Sequence, residues 1–122
     1  MRKLFNILLF FAVVAGSVSF CKHTTRFGDL YDCYIITDAE VALYDEDDEY
    51  DQVDCEELMS IIEKGKLSHI AFPSHWLVNL YDDEGIRYKL YISRNCRNFR
   101  VDSNYFRLSR RQARALLHIF GG

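Results

Sequence analysis

The chain has 122 residues, with 15 Lys and Arg against 18 Asp and Glu and a formal net charge of −3. That length holds one small domain with one core. The negative total excludes a protein drawn as a whole to nucleic acid, so no nucleic-acid partner is expected.

Residues 1–19 read as a cleavable signal peptide. Arg2 and Lys3 form a charged start, Leu4 to Ala15 is apolar apart from Asn6, and small residues follow at Ala15, Gly16, Ser17 and Ser19. The apolar run is shorter than the about 20 residues a membrane span needs. Cleavage after Ser17 or Ser19 would release a secreted or periplasmic domain over residues 20–122. Val18-Ser-Phe-Cys21 resembles the end of a bacterial lipoprotein signal, which implies a lipid on Cys21 and a membrane anchor. Phe20 departs from the small residue such signals carry there. Lipidation would also leave Cys33, Cys55 and Cys96, an odd number. Plain secretion is therefore the first reading and the anchored lipoprotein the alternative. In an oxidising compartment the four cysteines, Cys21, Cys33, Cys55 and Cys96, are candidates for two disulfides. No Cys-x-x-Cys occurs to support a redox motif or a zinc ribbon.

From Cys21 to Gly28 the chain reads as a loose lead-in. Leu30 to Ile36 is strand-like by its alternation of Tyr31, Cys33 and Ile35, and Glu40 to Tyr44 is a second short strand. Asp45 to Asp51 has no apolar run and reads as an exposed loop. Asp54 with Glu57 three residues later predicts a helix start, Leu58, Ile61 and Ile62 its buried stripe, and Gly65 its stop. Leu67 to Phe72 adds a short extended piece before Pro73. Trp76–Tyr81 and Ile86–Ile92 predict a half-buried antiparallel hairpin turning at Gly85, with Trp76, Val78 and Leu80, and Ile86, Tyr88, Leu90 and Ile92, facing inward. A second hairpin is expected over Phe99–Leu108. Ser109 and Gln112 make a capping box for a last helix with Ala113, Leu116, Leu117 and Phe120 on one stripe. Hairpins in place of βαβ units predict an α+β fold. Its antiparallel sheet would have about five to six strands and two helices on one face. The alternative is a small bent barrel capped by the C-terminal helix.

Three features carry chemistry. Asp45, Asp47, Glu49, Asp51 and Glu56 fall at positions 1, 3, 5, 7 and 12 of a twelve-residue window that resembles an EF-hand loop, which would make a calcium-binding module. Tyr50 stands where that loop needs glycine, so these acids are weak metal candidates and a solvated loop is the first reading. Charge is also segregated. Asp38–Glu57 holds eleven acids and no Lys or Arg, while Arg94–Arg114 holds seven arginines and one acid, Asp102. Arginine forks bind carboxylate and phosphate in pairs. The helix start at Arg110 and Arg111 is where the macrodipole disfavours cations. Tyrosine beside arginine is the composition of a protein-contact surface.

The expected partner surface is therefore Arg97, Arg100, Arg107, Arg110 and Arg111 with Tyr91 and Tyr105, facing an anionic protein or an envelope component. A secreted inhibitor or an envelope accessory protein fits that description. The histidines, His23, His69, His75 and His118, are scattered, and no nucleophile–base motif or cofactor motif is present. A small hydrolase is the second alternative. Cys96 with His75 could meet in space as a Cys–His pair, though an oxidising compartment spends that cysteine in a disulfide. His69 and His75, flanking Pro73, are a weak metal-ligand signal.

Overall fold

The computed structural model describes residues 24–46 and 49–121. The signal segment, Cys21 and His23 lie outside that range, as does Asp47. One antiparallel sheet of seven strands forms the frame. Its strands are β1 (Asp38–Leu43), β2 (Asp51–Val53), β3 (Lys66–Ser68), β4 (Trp76–Asp82), β5 (Gly85–Ile92), β6 (Asn98–Val101) and β7 (Asn104–Arg107), in the order β2-β1-β4-β5-β6-β7-β3. The helices are α1 (Phe27–Leu30), α2 (Cys55–Ile62) and α3 (Arg110–Ile119). This is the expected α+β architecture. The terminal strands β2 and β3 do not pair with each other, so the sheet is open and the barrel alternative does not hold.

The predicted caps form. The Asp54 carboxylate accepts the Glu57 N–H at 3.1 Å. Ser109 Oγ accepts the Gln112 N–H at 3.1 Å, while the Ser109 N–H donates to Gln112 Oε1 at 2.9 Å. Helices α2 and α3 touch each other. Leu58, Met59 and Ile62 of one, and Ala113 and Leu116 of the other, join Val41, Val78, Leu90, Ile92, Phe99 and Phe106 of the sheet in a single core. At the end of α2 a Cβ on Gly65 would lie 2.6 Å from the Phe99 ring, so the chain passes β6 at backbone contact.

Four expectations need correction. Leu30–Ile36 is not a strand. Tyr31, Cys33 and Ile35 do pack on the core, as their alternation implied. The backbone, however, spends its hydrogen bonds locally: the Asp32 carboxylate accepts the Tyr34 N–H, and the Ile36 N–H reaches the Cys33 carbonyl. The sheet has seven strands because β2 and β3, three residues each, pair at its edges with only Val53 and Ser68 half-buried, too little for an apolar pattern.

The main hairpin turns through Asp83-Glu84 with Gly85 at φ 129°, but it is not simply half-buried. Leu77 and Asn79 are buried along with Val78 and Leu80, as suits a strand inside the sheet. Opposite Leu80 and Tyr81 stand Tyr88 and Ile86, leaving Arg87 as an extra bulged residue. That bulge takes Ile86 off the inward face, and it is 50 % exposed. Finally, Cys33, Cys55 and Cys96 carry free thiols where bridges were expected. The first two thiols contact backbone carbonyls, of Tyr31 at 3.7 Å and Ile36 at 3.9 Å, and Cys96 is buried in the core.

Candidate functional site: a basic groove at the start of α3

Antiparallel pairing collects cations that are scattered in the sequence. Lys66 of β3 lies directly opposite Arg107 of β7, and on its other side it bridges to Arg26. The Leu67 N–H donates to the Thr25 carbonyl and the Phe27 N–H to the Gly65 carbonyl, both at 2.8 Å, which fixes this register. Three cations thus occupy one row across neighbouring segments, with side chains of opposed residues about 5 Å apart at their Cβ atoms. Like charges so placed are destabilising in themselves.

This row lines a groove of about 730 Å³. Lys64 from the turn after α2 and Arg97 from the β5–β6 connection add to it, and Ser109 and Gln112 at the start of α3 close one end. Five lysines and arginines line the groove and no acid does. The Arg97 side chain is set in place: its Nε–H donates to the Leu108 carbonyl at 2.9 Å, and its backbone N–H to Asn95 Oδ1 at 3.0 Å. Leu67 and Ile70, both exposed large apolar residues, also line the groove and give it apolar surface beside the charges. The arrangement suits a segment that carries carboxylates or phosphates on an apolar backbone.

Of the expected surface, Arg97 and Arg107 line the groove. Arg110 and Arg111 are exposed in the first turn of α3, next to its Ser109 wall. Tyr91, Arg100 and Tyr105 stand opposite one another across β5, β6 and β7, in the row adjoining Arg107. The Arg100 guanidinium lies 4.4 Å from the Tyr91 ring centre and donates to the Asp102 carbonyl at 2.8 Å, while Tyr105 meets Phe72 edge-on. Arg26, Lys64 and Lys66 were missing from the sequence reading. Arg26 sat in an apparent lead-in, and the lysines merely flanked a helix-stopping glycine. Only strand pairing makes them neighbours.

The other candidates look different. Asp45 lies in a turn, Asp51 in β2 and Glu56 in α2, so the twelve-residue window is not one loop. Among the described residues no group of three His, Cys, Asp or Glu is placed to hold a metal ion. Burial pushes the Cys96 thiol up to about 12. Burial first, then Glu63 and Asp32, pushes Cys33 up to about 11, and burial with Asp38, Asp54 and Glu56 raises Cys55. Each shift favours the protonated thiol, the opposite of what activates a cysteine nucleophile.

No family model matches the chain, and no curated protein or solved structure is significantly similar to it. Among the described residues no helix is long and apolar enough to cross a membrane.

Proposed function

We propose that this protein is an exported binding domain that takes an anionic segment of a partner protein into the basic groove. The observation that carries the reading is the row Arg26–Lys66–Arg107 beside the start of α3. Like charges on directly paired strand positions oppose folding, and cations at the positive end of a helix oppose it again. An arrangement that costs stability twice at a preformed cavity is accounted for by an anion that neutralises it. Export rests on the charged, apolar and small-residue pattern of residues 1–19. It makes a secreted inhibitor or an envelope accessory protein the fitting roles, with a membrane in contact only if Cys21 carries lipid.

The test is calorimetric titration with hexaglutamate. The wild type binds, and affinity falls steeply with salt as expected for exposed charges. The double variant Lys66→Gln/Arg107→Gln loses about tenfold or more, that is about 1.4 kcal/mol. Lys89→Gln, an exposed cation outside the groove, serves as control and binds as the wild type does. Equal binding by the groove variant and the wild type would refute the reading.

A further inference from the structure

Helix α3 has a different charge at each end. Its start, at Ser109 and Gln112, borders the basic groove. Its end, at Phe120, borders a second cavity of about 330 Å³ in which Trp76 and Phe120 lie beside Glu46, Glu49 and Asp51, with no cation in the lining. The ring centres of Trp76 and Phe120 are 5.1 Å apart. Both ends run against the helix macrodipole, cations at its positive end and carboxylates at its negative end. About 15 Å of helix axis separates the two, and no residue lines both cavities. Each surface carries the charge that would complement the other.

We infer that the anionic partner of the groove is the acidic end of a second copy, so that molecules associate head to tail. The inference rests on the groove reading above and names its occupant. In the contact, Glu46, Glu49 and Asp51 of one molecule face Lys66, Arg97 and Arg107 of the next. The two helix dipoles then run in the same sense, and each neutralises the other's exposed end. Such a contact is heterologous: it uses different surfaces on the two partners and leaves one of each kind free, so association continues past the dimer.

Sedimentation equilibrium at low salt, repeated at 0.5 M salt by the order of magnitude that collapses the screening length to a few ångströms, about 4 Å, tests this. The wild type's average mass rises with concentration beyond that of a dimer, and salt reverses the rise. Two variants separate the ends: Lys66→Gln/Arg107→Gln keeps the acidic end, and Glu46→Gln/Glu49→Gln keeps the groove. All four residues are exposed, and circular dichroism checks that both variants fold. Each variant alone stays monomeric, and an equimolar mixture forms a dimer that grows no further, because only one contact is left to make. A wild type that remains monomeric, or stops at a dimer, overturns the inference. So does continued assembly by either variant alone, or a mixture that fails to pair. If hexaglutamate still binds the wild-type groove in those cases, only the self-association is refuted. If it does not, the groove reading falls with it.

Discussion

Cys96 and Arg87 show what one residue decides in this fold. Cys96 is fully buried and sits at φ 62°, a conformation that favours glycine, so its thiol is carried into the core by an unusual turn of the β5–β6 connection. Its pKa is pushed up to about 12 by burial alone. The unfolded chain ionises this thiol near the ordinary value of 9.0. Stability is therefore whole below pH 9 and falls as pH rises from there towards 12, by up to about 1.4 kcal/mol per pH unit from this group. Urea midpoints measured at pH 8 and pH 10.5 check the direction; Cys96→Ala reduces the difference, and the raised thiols of Cys33 and Cys55 account for part of what is left. Iodoacetamide at pH 8 should modify Cys96 only after unfolding. Arg87 acts on geometry instead. As the extra residue of a bulge it reverses the facing of Ile86, which strict alternation had placed inward. Alternation is a sound guide only while the ladder has no insertion, and a bulge has no signature in a run such as Ile-Arg-Tyr.

At the scale of elements, what was legible was what is local. Both long helices start at the residues whose side chains cap them, because a cap and its N–H lie three residues apart in the chain. Both hairpins turn where Gly85 and Asp102 accept positive φ. Segments that draw their hydrogen bonds from far away were less legible: β2 exists through its partner, β3 overlaps only the start of the extended piece expected at 67–72, and 30–36 pairs with no strand. The start of α3 carries a cost that the groove explains. Replacing Arg111 by Glu puts a carboxylate at the positive helix end and should raise stability by roughly 0.3–1 kcal/mol, read as a higher urea midpoint. The same variant should bind hexaglutamate more weakly. A gain in stability without loss of binding would detach this turn from the site.

For the molecule as a whole, Glu46, Glu49 and Asp51 of the acidic stretch and Arg97 and Arg107 of the basic stretch line separate cavities at the two ends of α3. Repulsion within each cluster then outweighs attraction between them, since the nearer charges are alike. Added salt should therefore stabilise the protein at concentrations too low for self-association. From about 20 mM to about 300 mM sodium chloride, a range that shortens the screening length severalfold, the urea midpoint should rise. Ion pairs between the acidic loop and the arginines would make it fall.

Sequence alone determined the α+β class, the caps, the two hairpins and the unequal distribution of charge. These depend on residues a few positions apart, where backbone geometry leaves few choices. Tertiary structure alone decided that Arg26, Lys66 and Arg107 form one row, that Cys33, Cys55 and Cys96 carry free thiols, and that Glu46, Glu49 and Asp51 lie at the far end of a helix from the groove. Strand order and register bring together residues 40 or 80 positions apart, and no local spacing encodes which of them will meet.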